Sequence, residues 1–361
     1  MTTNWKAALP DWIRNSRFTN YGGSAETRPV AIDCSLGVNP MGNIFGVDQD
    51  TLSLSETYKY PDNIGPLNEI ILARWPSLRS AKLSWGAGSM GILANFARVL
   101  CGRSVKVLGI SPQFLPGLME FDMAGARVDT LSLVPDRFKI DAKELAGALK
   151  DDTTLLYLDN PNNPTGSALP LGEVAALAEA CAKRGALLMV DEAYADFLDD
   201  AESAFNLEMD NVLCVRTLSK GYGMAGLRIG YAAIRDPELH EVYENFSVLY
   251  SNSEVSAAIA AKYLPRIDFE AVRKKVRYLK ARVTEFIGGY TALSIADTHP
   301  ATPICLLTWK NGGNLYEKLM DAGIRTEAGR FFELGDSSVR LRVPPENLLE
   351  DFFRLWRGLF D

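Results

Sequence analysis

Arg216-Thr217-Leu218-Ser219-Lys220-Gly221-Tyr222-Gly223-Met224-Ala225-Gly226-Leu227-Arg228 follows the apolar run 212–215, which reads as a buried strand. Glycines at 221, 223 and 226 let the backbone approach a ligand closely. Two hydroxyls (Thr217, Ser219), one amine (Lys220) and one guanidinium (Arg228) crowd the same turn. That grouping suits an anion together with a reactive amine. A lysine at the end of a buried strand is desolvated and held near neutral, as a Schiff-base lysine requires. A Ser-Lys pair on its own would read better as a solvated loop. Three further stretches, in order along the chain, decide against that.

The first is Asp159-Asn160-Pro161-Asn162-Asn163-Pro164-Thr165-Gly166, a run of turn-forming residues after a strand at 153–158. In the second, the apolar run 186–190 leads into Asp191-Glu192-Ala193-Tyr194, as a central parallel strand does at its carboxyl end. An acid in that place lies in a ligand crevice. Glu192 points the other way on an extended chain and reads as the structural acid. The third is Ser84-Trp85-Gly86-Ala87-Gly88-Ser89, which precedes helical apolar spacing at Ile92, Leu93, Phe96, Val99 and Leu100. Such a helix start presents backbone N–H groups to an anion. From about 83 to 234, strands at 105–110, 153–158, 186–190 and 212–215 alternate with helical patterns such as 171–184. This predicts parallel strands with helices on both faces, and the motifs fall at strand carboxyl ends or helix starts, where open α/β sheets bind ligands. Beyond a charged helical connection at 268–286, strands at 303–309, 323–327 and 339–343 and an amphipathic helix at 348–359 predict a second unit that joins the N-terminal segment.

Taken together, these motifs resemble those of the fold-type I enzymes that use pyridoxal 5'-phosphate (PLP). The match is to the class I/II aminotransferases, in the subgroup of histidinol-phosphate aminotransferase and threonine-phosphate decarboxylase, and it runs from about residue 21 onward. The resemblance implies an α/β fold with a mostly parallel central sheet, helices on both faces and a smaller α+β domain. The expected division is 45–265 for the large domain and 1–44 with 266–361 for the small one. PLP would form a Schiff base with Lys220. Asp191 would face its pyridine nitrogen, Asn163 and Tyr194 its phenolic oxygen, and Phe114, in Ser111-Pro112-Gln113-Phe114, would stack on the ring. Gly88, Ser89, Thr217, Ser219 and Arg228 would hold the phosphate. Tyr60, in Tyr60-Pro61-Asp62, would reach the phosphate in the neighbouring subunit of a homodimer. Lys220, Asp191 and Tyr194 are the expected catalytic residues.

On the substrate side, Arg340 in Val339-Arg340-Leu341-Arg342-Val343 matches an arginine that forks onto a carboxylate. Arg342 lies on the same strand face and stays open as the alternative. Tyr21, Gly37 and Asn163 are the other substrate candidates. Gly86-Ala87-Gly88-Ser89 departs from the Ala-Asp-Glu usual in histidinol-phosphate aminotransferases and lies nearer the decarboxylase form, whereas Tyr21 replaces the decarboxylase histidine. The reading is an aminotransferase acting on an amino acid or an amino-acid-derived amine, with or without a phosphate. The alternative is a decarboxylase resembling threonine-phosphate decarboxylase. A protein of this fold that binds without catalysing would be favoured had Lys220 or Asp191 been lost, and both are present.

Composition agrees. A chain of 361 residues suits one large domain plus a smaller one. A net charge of −7 argues against a general nucleic-acid binder. Only two histidines occur, outside the motifs, and the five cysteines are scattered without a CxxC, so neither a metal site nor a disulfide framework is expected. Reduced thiols and an N-terminus without an apolar signal core point to the cytoplasm. No apolar run approaches membrane-spanning length.

Overall fold

The computed structural model describes residues 28–42, 64–135 and 137–360. Among these, the strands in chain order begin with β1 (Ile32–Asp33), β2 (Lys82–Ala87), β3 (Lys106–Ser111) and β4 (Arg127–Ser132). They continue with β5 (Leu155–Asp159), β6 (Leu187–Asp191), β7 (Val212–Thr217) and β8 (Ile229–Ile234). The last are β9 (Leu293–Ile295), β10 (Ile304–Trp309), β11 (Ile324–Arg325), β12 (Glu327–Ala328) and β13 (Ser338–Arg342).

Seven strands form the main sheet in the order β2-β8-β7-β6-β5-β3-β4. Its strands are parallel except that β8 runs antiparallel to both neighbours, β2 and β7. The expected parallel sheet therefore carries one reversed strand. Every residue of β5, β7 and β8 is buried, which is why these stretches read as continuous apolar runs rather than alternating ones. Side chains still alternate between the faces. Leu156, Leu158, Leu188, Val190 and Cys214 join one core with Trp75, Leu177 and Phe205. Leu155, Tyr157, Met189, Leu213 and Val215 join another with Ile92, Phe96 and Phe121.

A smaller antiparallel sheet has the order β12-β13-β10-β9. β1 pairs in parallel with β11, so the N-terminal segment is sewn onto the C-terminal part. Ile32 and Cys34 share a core with Leu279, Val283, Leu307, Val339, Leu341, Phe352 and Trp356. The helix Phe269–Gly288, capped by Asp268 accepting from the Ala271 amide, serves both bodies. Its first half places Val272 and Val276 against Tyr194, Phe197 and Ile304. Its second half places Leu279, Val283 and Ile287 in the core of the smaller body.

This topology gathers the chemistry along one edge of the sheet in the strand direction, the edge at which the parallel strands end. β5, β6 and β7 are parallel and in register, so Asp159 sits opposite Asp191. β8 returns from that edge with Thr217 opposite Gly230, and β2 ends there with Ala87 opposite Ile229.

Candidate active site

Lys220 stands half-buried in the turn after β7. The N-terminal segment covers this turn, where the Asn39 side-chain amide donates to the Gly221 carbonyl at 3.1 Å. Lys220 Nζ lies 5.6 Å from the centroid of the Tyr194 ring. Burial, then Arg340 and Arg228, pull the amine down from its ordinary 10.5 to about 8, against the pull of Asp191.

Asp191, buried at the end of β6, accepts from the Tyr157 hydroxyl at 3.0 Å and from the Ala193 amide at 3.1 Å. Desolvation pushes its pKa up to about 6, and these two donors work against that rise. A Cβ on Gly117 would collide with the Tyr157 hydroxyl, so the glycine makes room for it. Glu192 faces the opposite side, as expected of a structural acid. Its Oε2 takes Arg216 Nε at 2.9 Å and Nη2 at 2.7 Å in a fully buried pair.

Asp159 ties two loops together. Its carboxylate accepts from the Phe114 amide at 3.0 Å, the Asn163 amide at 2.9 Å and Asn162 Nδ2 at 2.9 Å. Burial raises it to about 8, while all three partners donate and so favour the charged form. Phe114 and Asn163 are thereby fixed by backbone bonds to one residue.

The anion cradle lies between β2 and the Lys220 turn. Thr217 Oγ1 and Ser219 Oγ share a hydrogen bond of 2.8 Å, and Arg228 Nη1 donates to Ser219 Oγ at 3.2 Å. Arg228 itself has φ +54°, a left-handed conformation that an arginine adopts only where its surroundings impose it. Gly88, at φ +74°, begins the helix Gly88–Val99, whose N-cap Ala87 offers no side-chain cap. A Cβ on Gly88 would collide with Arg228 Nη2. One on Gly230 would collide with the backbone of Gly88 and Ser89. Uncapped amides, two hydroxyls and a guanidinium gathered in one place suit a phosphate monoester. A buried carboxylate and an amine lowered to about 8 lie beside them. The residues present therefore fit PLP.

Arg340 is buried beside this site. Its Nη1 donates to Asn163 Oδ1 at 2.9 Å, its Nη2 donates to the Ser35 carbonyl, and Glu327 Oε2 lies 3.5 Å from Nη2. Arg342 is committed elsewhere, donating to the carbonyls of Asp33 and Val343. Gly37 lies against the Tyr194 hydroxyl so closely that a Cβ would collide with it. Tyr21 and Tyr60 lie outside the described residues.

The geometry thus brings together Lys220, Asp191, Tyr194, Asn163, Phe114, Arg340 and Gly37, with Gly88, Ser89, Thr217, Ser219 and Arg228 beside them. Sequence reasoning missed Tyr157, Asp159, Gly230 and Glu327. Only Gly230, a glycine inside a strand, carries a local signal of close backbone approach.

A family model described as aminotransferase class I and II matches residues 72–353. The histidinol-phosphate aminotransferase of Ruminiclostridium cellulolyticum is 30% identical over 289 residues, 79% of this chain and 79% of the relative. The aromatic amino acid aminotransferase of Rhodococcus erythropolis is 26% identical over 350 residues, 94% of this chain and 91% of the relative. Among solved structures, the histidinol-phosphate aminotransferase from Sinorhizobium meliloti in complex with pyridoxal-5'-phosphate superposes with a TM-score of 0.80 at 22% identity. It covers 98% of this chain and 97% of that one. At that identity the likeness speaks to the fold alone. These relatives are named as aminotransferases, which leaves the decarboxylase alternative without support.

Proposed function

The chain belongs to the class I and II aminotransferases and is a PLP-dependent aminotransferase, and from that premise we propose which of its residues carry the transfer and on what substrate. The observation that carries the assignment is Lys220, an amine lowered to about 8 at the sheet edge where Asp191 and Arg340 converge. When bound, PLP supplies an aldehyde that takes up the substrate amine and a ring that accepts the electrons of the bond broken at the α-carbon.

Lys220 Nζ would hold the cofactor and, as a free amine, would move the proton at the substrate α-carbon. The Asp191 carboxylate would pair with the protonated ring nitrogen, and Tyr157 and Ala193 keep it aimed. The Asn163 amide, whose oxygen is committed to Arg340, and the Tyr194 hydroxyl serve the phenolic oxygen. Phe114 stacks on the ring. Gly88, Ser89, Thr217, Ser219 and Arg228 would hold the phosphate. Arg340, not Arg342, takes the substrate anion, because Arg340 is bonded to Asn163 and electrostatically coupled to Lys220, whereas Arg342 donates to the Asp33 and Val343 carbonyls. Gly37, against the Tyr194 hydroxyl, would border the substrate.

The substrate is an amino acid or an amino-acid-derived amine, a reading supported by the names of the relatives. A homodimer is supported by the exposed apolar stretch Phe246, Val248 and Leu249, of which Leu249 is 77% exposed. A cytoplasmic location is supported by five free cysteines, four of them buried. No helix among the described residues is long and apolar enough to cross a membrane. The division into 45–265 and 1–44 with 266–361 is supported by the separate core that Ile32 and Cys34 share with the C-terminal elements.

The test is a single turnover of the PLP-loaded protein with candidate amino acids. Transamination converts the cofactor to its amine form and releases a keto acid. Release of carbon dioxide with PLP retained would refute the assignment.

A further inference from the structure

The pairing of β12 with β13 sets Glu327 directly opposite Arg340, and opposed residues in an antiparallel pair share one face. Arg340 is 1% exposed and Glu327 is 7% exposed, and their charged ends lie 3.5 Å apart. Two of the guanidinium nitrogens already donate, to Asn163 Oδ1 and to the Ser35 carbonyl. The cation that faces the substrate is therefore internally compensated by a buried carboxylate.

We propose that Glu327 is a specificity-determining residue that fits the Arg340 site to a singly charged carboxylate and sets it against a dianionic phosphate. This rests on the reading of Arg340 as the residue for the substrate anion, and it narrows that reading from an amine with or without a phosphate to an amino acid with a free carboxylate.

The argument is electrostatic. An anion that reaches Arg340 also comes close to Glu327. A carboxylate brings one negative charge to a pair that sums to zero, and a phosphate dianion brings two. Each is left uncompensated by that pair, and away from bulk water the second uncompensated charge carries the larger desolvation cost. The other charges coupled to Glu327 leave the sign unchanged. Asp33 adds a carboxylate, which Arg325 Nη1 offsets at 3.2 Å. Arg330 couples more weakly than Arg340 does. Phosphate also needs more donors than a carboxylate, and Arg340 has already committed part of its fork.

The experiment titrates the PLP-loaded protein with two matched probes that carry no amine, 3-phenylpropionate and phenyl phosphate, at a pH where the phosphate is a dianion. Binding is read from the cofactor absorbance. In the unmodified protein the carboxylate should bind more tightly by about tenfold or more. Glu327→Gln should shrink that ratio by about tenfold, chiefly by improving the phosphate. Glu327→Asp should keep it, and Arg340→Ala should weaken both probes. Equal affinities in the unmodified protein overturn the proposal without any variant. An unchanged ratio in Glu327→Gln, with Arg340→Ala still weakening both, overturns Glu327 alone and leaves Arg340 in place. If Arg340→Ala changes neither affinity, the reading of Arg340 falls and the proposal with it.

Discussion

An ordinary lysine amine, at 10.5, is almost wholly protonated at neutral pH and unreactive toward an aldehyde. In this protein burial and two neighbouring arginines bring Lys220 to about 8, so its neutral fraction climbs as the pH rises through that value. The rate at which cofactor-free protein takes up PLP, followed by stopped-flow absorbance, should rise with pH to a plateau with a midpoint near 8. A midpoint near 10.5 would show that the pocket does not perturb the amine. Arg228→Ala removes a charged donor from the phosphate cradle, where such bonds contribute roughly 1.5–3 kcal/mol. PLP affinity should fall about tenfold or more, with substrate preference little changed; equilibrium titration checks both. Lys220, Asp191 and Arg228 were legible because each stands inside a motif with its own chemistry. The choice between Arg340 and Arg342 was not, since both share a strand face, and only the bond that Arg340 makes to Asn163 across the fold separates them. Glu327 was illegible as well. In Thr326-Glu327-Ala328-Gly329-Arg330 it looks like one more solvated charge, and only strand pairing brings it to Arg340.

Among the elements, β5, β6 and β7 could be read because strands buried on both faces leave unbroken apolar runs. β4, exposed and charged at the sheet edge, left no such run. The reversal of β8 was hidden for a different reason: a strand buried throughout carries no mark of its direction. That reversal is what places Gly230 under the Gly88–Ser89 turn and closes the cradle. Gly230→Ala should therefore cost about 1–3 kcal/mol of stability through overpacking and weaken PLP binding as the turn is pushed away. Denaturant unfolding with and without PLP measures both effects, and normal behaviour in each would mean that the turn yields freely. The Arg216–Glu192 pair anchors the start of the Lys220 turn from the opposite face. Removing Glu192 leaves Arg216 Nε without its acceptor and the guanidinium with its buried pair to Asp196 at 2.7 Å, so Glu192→Ala should lose about 1–3 kcal/mol, visible as a lower denaturant midpoint. A loss within 0.5 kcal/mol, roughly the effect of a surface change, would contradict the structural role given to Glu192.

At the scale of the whole molecule, two cores meet along the helix Phe269–Gly288, and the site lies where the N-terminal segment folds back over the edge of the main sheet. The alternation of strands and helices made the large sheet legible, whereas the parallel pairing of β1 with β11 depends on contacts between the two ends of the chain and left no local pattern. The proposed homodimer predicts a sedimenting mass of twice 39.7 kDa, with Leu249→Asp shifting it toward monomer. A fully active monomer would end that proposal. Lys220 is proposed as the residue that carries the cofactor of this aminotransferase. The most direct test is borohydride reduction of the PLP-loaded protein, followed by digestion and mass mapping of the modified lysine. The reduced cofactor should be found on Lys220, and Lys220→Ala should carry none. Cofactor fixed to any other lysine, or retained in the variant, would contradict that assignment.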